Sequence, residues 1–291
     1  MLIITWIITY IFFSTLSQVY GEDYKKIVNG VEVTKGRYPY QVALFTEDDQ
    51  FYCGGTLVSP SHVLTAAHCV LSCTAYVEIG RHNFLDDSEK VEKIEVESMI
   101  KHPSYDCDSV DFDFGILKLR ENSTYDTVTL DDGTHDLIGG ENVTIIGWGS
   151  TKKVGAFEFW SFSSSLSDVL LEAEVDVVSN NDCKDAYGDS GITDQMFCAA
   201  REGTDTCQGD SGGPALILGL NSTEDIQMGI TSWGFGCADK NYPGVYARVS
   251  TVKVWIEQVL NGTYALSGDE RRSYKFRLFH AISNGIDHLV N

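Results

Sequence analysis

With 291 residues, the chain can bury one large core or two fused smaller ones. Its formal net charge of −21 excludes nucleic-acid binding by phosphate neutralisation and favours attraction to basic ligands. Charge on this scale has no bearing on fold.

Residues 1–21 contain no charged side chain, and the stretch from Leu2 to Phe13 is apolar except at Thr5 and Thr9. This reads as a secretory signal peptide, although the usual basic residues ahead of the apolar stretch are missing. Cleavage after Ser17 or after Gly21 fits. A membrane anchor is the competing reading, but the run is well short of the ~20 residues needed to span hydrocarbon. Residues 22–26 form a short charged segment that ends in Lys25-Lys26.

Between residues 27 and 250, short Val, Ile, Tyr, Phe and Thr runs alternate with Gly, Asn, Asp and Ser clusters. The clearest runs are Tyr40–Phe45, Tyr76–Ile79, Ile116–Leu119, Val143–Gly147, Val169–Val178, Ala215–Leu218, Gly229–Trp233 and Gly244–Val249. Such spacing predicts an all-β barrel or sandwich. One helix is expected, because Val252, Trp255, Ile256, Val259 and Leu260 share a face. Ser250 and Thr251 are its candidate caps and Gly262 its stop. The tail 262–291 carries Arg271, Arg272, Lys275 and Arg277 and has a net charge of +1, which leaves −22 on residues 27–261. It is expected to extend loosely from the body.

Gly209-Asp210-Ser211-Gly212-Gly213-Pro214 presents one serine hydroxyl in a glycine-rich bend. Upstream stand His68 in Thr65-Ala66-Ala67-His68-Cys69 and Asp113 ahead of the apolar run Phe114–Leu119. A serine alone is a poor nucleophile at neutral pH. An imidazole that takes its proton, oriented by a carboxylate, makes it able to open an acyl bond. Each motif alone has a plainer reading: Ser-Gly-Gly-Pro as a turn, His68 as core packing, and Asp111 as a rival for Asp113. The remaining histidines (His62, His82, His102, His135, His280 and His288) read as ordinary polar or surface residues. None has zinc-helix spacing, and the chemistry calls for neither metal nor cofactor. Eight cysteines and four Asn-x-Ser/Thr sites, at Asn122, Asn142, Asn221 and Asn261, agree with a secreted, extracellular glycoprotein. Sequence alone leaves the cysteine pairing open.

Over residues 27–261 these motifs resemble, in order and spacing, the trypsin/chymotrypsin family of secreted serine endopeptidases, in its trypsin-like branch. The resemblance implies two antiparallel Greek-key β-barrels, an active site in the cleft between them, and a C-terminal α-helix. His68 and Asp113 would lie on the first barrel and Ser211 on the second. Ser211 would be the nucleophile, His68 the general base and Asp113 its orienting partner, with the Gly209 and Ser211 N–H groups as oxyanion hole. Asp205, six residues before Ser211, would sit at the base of a pocket for Lys or Arg, with walls kept open by Gly234 and Gly244. Ser232 to Gly234 would be the backbone strand that pairs with extended substrate.

The resemblance further implies a zymogen, cut between Lys26 and Ile27 so that the new amine pairs with Asp210. A bell-shaped pH–activity curve is expected, falling in acid as His68 protonates and in alkali as the Ile27 amine loses its charge. Disulfides Cys53–Cys69, Cys183–Cys198 and Cys207–Cys237 are implied, which leaves Cys73 and Cys107 as a fourth bond across the cleft rim. Expected partners are protein or peptide substrates with Lys or Arg at the cut and protein protease inhibitors, around a monomer with no nucleic acid. Three features depart from the family. Arg81 stands where calcium-binding trypsins place a carboxylate, the segment 152–167 is long and aromatic, and the tail has no counterpart. A catalytically silent binding module on the same scaffold is the rival reading, although His68, Asp113 and Ser211 are all present.

Overall fold

The computed structural model describes residues 30–149, 166–201, 210–235 and 241–264. The leader, the activation segment, the aromatic residues of the 152–167 stretch and the tail beyond residue 264 lie outside them. In chain order the strands are β1 (Val31–Glu32), β2 (Gln41–Thr46), β3 (Phe51–Ser59), β4 (His62–Thr65), β5 (Thr74–Ile79), β6 (Glu92–Lys101) and β7 (Gly115–Leu119). There follow β8 (Thr129–Leu130), β9 (Asn142–Gly147), β10 (Leu171–Val178), β11 (Met196–Ala200), β12 (Pro214–Ile217), β13 (Ile226–Trp233) and β14 (Gly244–Arg248). Two α-helices are added, α1 (Asn180–Tyr187) and α2 (Lys253–Leu260).

The first barrel closes in the order β2-β3-β4-β7-β6-β5, with β5 pairing back to β2. The second runs β10-β11-β14-β13-β12-β9 and closes through six register pairs between β9 and β10. Both rings are antiparallel throughout. The two-residue β1 extends β10, and β8 is the exception, pairing with β13 in parallel. Closure removes the exposed edges that open sheets leave for other chains.

Residue pattern explains the strand environments. In β10, Leu171, Ala173, Val175 and Val177 point inward, while Glu172, Glu174 and Asp176 alternate toward solvent. β2, apolar along most of its length, is buried except at its last residue. The inner faces meet in a core that crosses the barrel boundary, joining Leu44, Leu64 and Phe114 to Trp148, Leu216 and Ile230. A second cluster around Val143, Val175, Phe197 and Tyr246 fills the other barrel.

Two helix expectations need correction. α2 buries Trp255, Ile256 and Val259 and is followed by Gly262 at φ 67°, but Ser250 and Thr251 do not cap it. Both belong to a 3₁₀ turn, Val249–Val252, where the Thr251 hydroxyl donates to the Arg248 carbonyl at 2.6 Å. The helix α1 was not expected. Only Cys183 of its eight residues is buried, so it shows no apolar face. Its signature is the cap, in which Ser179 Oγ accepts from the Asp182 N–H while donating to the Asp182 carboxylate.

Candidate active site

Asp113 is 1% exposed and lies just ahead of β7. Its Oδ1 accepts the His68 backbone N–H at 2.9 Å, and its Oδ2 meets His68 Nδ1 at 2.8 Å. Burial alone would push this carboxyl upward. The bonds from His68 and Ser232 prevail and hold it below the ordinary carboxylate range. With Nδ1 engaged, only Nε2 of the ring is left to exchange a proton. His68 itself is partly open to solvent.

The backbone reaches Asp113 through two left-handed residues, Val110 at φ 56° and Phe112 at φ 52°. Such values are unfavourable for a β-branched or bulky side chain. Packing compensates: the Phe112 ring stacks on His102 at 4.7 Å, and His102 meets Trp255 edge-on at 4.9 Å. Asp111 is not a rival triad member, since it accepts from Thr193 Oγ1 at 2.6 Å and ties this loop to the second barrel.

Ser211 is brought to the same place from the other barrel. Its carbonyl accepts the Gly54 N–H at 2.8 Å, and Gly54 follows Cys53, which is bonded to Cys69 beside His68. Gly212 has φ 81°, and a Cβ there would collide with Thr65 Oγ1 and the Gly54 carbonyl. The bend bearing the serine is therefore pressed against Thr65-Ala66, two residues from His68. No hydrogen bond joins the hydroxyl to the imidazole among the described residues.

Sequence reading missed the side-chain role of Ser232. It was singled out for its backbone, yet its buried hydroxyl donates to Asp113 Oδ2 at 2.6 Å. Asp113 is thus held by groups from both barrels. Gly234 faces Gly244 across the β13–β14 ladder, where a Cβ would come within 3.8 Å of the Gly244 Cα. Asp205 and Gly209 lie outside the described residues, as do Lys26, Ile27, Cys207 and Cys237.

A scan against family models matches the trypsin model over residues 27–256. The chain belongs to the trypsin family. It is 36% identical over 243 residues to trypsin 5G1 of Aedes aegypti, covering 80% of this chain and 85% of that one. It is 35% identical over 246 residues to a trypsin of Xenopus laevis, covering 82% and 93% respectively. Among solved structures it resembles neuropsin, a serine protease expressed in the limbic system of mouse brain. That match has a TM-score of 0.68 and 31% identity, covering 80% of this chain and 99% of the other. The protein is a trypsin-like serine endopeptidase of chymotrypsin fold.

Asp210, next to the serine, is also 1% exposed. Its Oδ1 accepts the Gly149 N–H at 2.8 Å, and side chains at Gly147 or Gly149 would collide with its carboxylate. The Cys53–Cys69 and Cys183–Cys198 bonds are formed. The proposed Cys73–Cys107 bond is not: both thiols are free and exposed, each on its own loop. Of the other histidines, His62 and His82 are buried polar residues. His62 Nδ1 bonds Ser59 Oγ at 2.9 Å, and His82 Nε2 meets Glu32 at 3.0 Å. All four sequon asparagines are exposed.

The family's calcium loop does not fit the ion here. Arg81 Nε meets Glu78 Oε2 at 2.8 Å, and Arg81 Nη1 donates to the Asp86 carbonyl at 3.3 Å. The Glu89 side chain, 1% exposed, takes Lys35 Nζ at 2.9 Å and the His82 and Asn83 N–H groups. Burial raises the Glu89 carboxyl, but these bonds outweigh it and keep the group low. The carboxylates that an ion would use are already engaged by cations of the chain.

Proposed function

We propose that the protein is a secreted zymogen whose mature form hydrolyses peptide bonds after Lys or Arg through an acyl-enzyme. The observation that carries this reading is the hydrogen-bonded series His68–Asp113–Ser232 set against the Ser211 bend. In the first half-reaction Ser211 Oγ attacks the substrate carbonyl carbon while its proton passes to His68 Nε2. The tetrahedral adduct collapses, the C–N bond breaks, and the departing amine takes that proton. Water then attacks the ester by the same route, releasing the acid and restoring the serine. Asp113 remains ionised, orienting the ring and stabilising the cation that forms on it. The Gly209 and Ser211 N–H groups would receive the oxyanion, each such donor being worth about 3–4 kcal/mol in the transition state.

Asp205 would attract the basic side chain, with Gly234 and Gly244 leaving room for it. Cutting after Lys26 would free the Ile27 amine to pair with Asp210, whose cleft between Gly147 and Gly149 supports the idea. A buried carboxylate is costly without a cation, so the pair can favour the competent arrangement of the Ser211 bend. The boundaries follow as 1–21 leader, 22–26 propeptide, 27–261 peptidase and 262–291 extension, in a monomer that protein inhibitors could occupy. Among the described residues no helix is long and apolar enough to cross a membrane.

The test is to cut recombinant proenzyme after Lys26 and profile a peptide library, with Ser211→Ala as control. Activity only after the cut, and only after Lys or Arg, is expected. Cleavage by the Ser211→Ala protein, or an unchanged preference for Arg over Phe esters in Asp205→Ser, would overturn it.

A further inference from the structure

A further buried carboxylate lies where the chain crosses from the first barrel to the second. Asp131 follows β8 and is 1% exposed, and its N–H donates to the Gln227 carbonyl of β13 at 3.0 Å. Its Oδ1 meets His135 Nδ1 at 3.1 Å. Among the described residues no Lys or Arg pairs with Asp131, and nothing donates to its other oxygen, Oδ2. The Arg248 guanidinium, whose charge the carboxylate feels, is turned instead to the Met196 carbonyl at 3.3 Å. A buried carboxylate with an unused oxygen and no cation is costly.

Asp132 brings a second carboxylate to the same place. Ligand atoms of Asp131, Asp132 and His135 all lie within 4.8 Å of one another. Asp132 is exposed, and its Oδ1 accepts the Thr134 N–H at 3.1 Å and the Thr134 hydroxyl at 2.6 Å, which leaves Oδ2 open. The His135 side chain is 40% exposed, so the group can be reached from solvent.

The donor set selects the ion. Calcium takes about six to eight oxygens and has little use for an imidazole. Zinc accepts imidazole and carboxylate together, at about 2.0–2.2 Å, usually in a tetrahedron. Ligands so placed stand about 3.3 Å apart. The His135 Nδ1 to Asp131 Oδ1 separation of 3.1 Å is close to that edge.

We propose that Asp131, Asp132 and His135 form a zinc site, with water as fourth ligand, that fastens the crossing between the barrels to β13. Three bonds form to the ion, one from an oxygen of each carboxylate and one from His135 Nδ1. No covalent bond between heavy atoms breaks. The Nδ1 proton leaves, and the neutral ring carries its proton on Nε2. The ion is structural and takes no part in peptide-bond chemistry. The plainer alternative is an imidazolium that pairs with Asp131 and needs no ion.

The experiment uses the full-length uncut chain, freed of metal by dialysis, with zinc chloride as probe. Equilibrium dialysis and the melting temperature are the readouts. A single zinc per chain is expected, raising the melting temperature by about 5–10 °C at roughly a hundredfold excess over Kd. His135→Ala and Asp132→Ala, both at exposed positions, should each weaken binding by at least the roughly tenfold to hundredfold that losing a supporting partner costs. His68→Ala should bind zinc as the natural protein does, which separates this site from the catalytic imidazole. Calcium at the same concentrations should shift nothing. Zinc binding that survives His135→Ala, or that is lost in His68→Ala, would overturn the inference. So would indifference of the natural protein to zinc, and a lower melting temperature in His135→Ala would then assign a plain ion pair.

Discussion

Asp113 at the cleft and Asp225 at the start of β13 are both almost fully buried, at 1% and 0%, and both join the two barrels. Asp113, from the first, receives His68 and then Ser232 from the second. Asp225, from the second, receives both terminal guanidinium nitrogens of Arg37, Nη2 at 2.8 Å, with the Tyr40 hydroxyl at 2.6 Å and the Gly219 N–H at 2.9 Å. The difference lies in the partner's charge. Asp225 holds a permanent cation, so its charge is used up in fastening the segment ahead of β2 to the second barrel. In the proposed mechanism Asp113 faces a ring that takes up a proton only as Ser211 attacks, so its negative charge would serve the transition state.

The strongest way to break that comparison is to neutralise each carboxylate in turn. Asp113→Asn should lower kcat by about four orders of magnitude, the loss associated with the wrong imidazole tautomer in a Ser-His-Asp constellation. Its melting temperature should change far less than its activity. Asp225→Asn should do the reverse, leaving kcat of the folded protein near normal while destabilising it by about 3–5 kcal/mol, since Arg37 is stranded. The pH dependence has a definite sign. Burial raises the Asp225 carboxyl, but Arg37, Tyr40 and the Gly219 N–H outweigh it and keep it below the ordinary range. A depressed carboxyl contributes stability that is present above the unfolded value of about 3.9 and lost as pH falls below it. Denaturation followed against pH should therefore show a steeper acid loss in the natural protein than in Asp225→Asn. Equal slopes would assign the clamp to some other group.

A smaller effect is expected at the residue that completes the cleft bridge. Ser232→Ala removes one charge-directed hydrogen bond from Asp113 and should cost roughly tenfold in kcat/KM. Ser232→Thr, which restores a hydroxyl, should recover part of it. If Ser232→Ala lowered stability and activity equally, the bond would be a barrel fastener like that at Asp225.

The legible half of this molecule is the half written in local signals. The alternation of β10, the helical face of α2 and the Ser211 bend each reveal themselves within a few neighbouring residues. Asp225, by contrast, is one acid among the chain's 42 Asp and Glu residues, and its partner Arg37 lies 188 positions away. Nothing nearby in the sequence announces the pair. The hydroxyl of Ser232 was hidden for the same reason, because its meaning depends on a contact 119 residues distant. The helix α1 failed differently, since a polar helix held by its cap has no periodic face to read. The expected Cys73–Cys107 bond rested on the family's layout, which puts both cysteines on loops bordering the cleft, and two loops on one rim need not bring their sulfurs within bonding geometry.

The least disruptive prediction concerns a third charged cluster, where a cation of the chain stands in place of a bound ion. Arg81 and Lys35 engage Glu78 and Glu89 within the 78–89 segment, so adding or chelating calcium should leave the melting temperature unchanged. A ligand that binds only the folded state stabilises in proportion to the logarithm of its concentration, and that dependence should be absent. Arg81→Glu replaces the guanidinium with a carboxylate beside Glu78 and Glu89, gathering like charges that repel. The variant should melt lower in chelator and recover with millimolar calcium, an oxygen-seeking cation suited to clustered carboxylates. A calcium response in the unaltered protein would mean that Arg81 can swing aside, and that this loop is held less firmly than the Asp225 clamp.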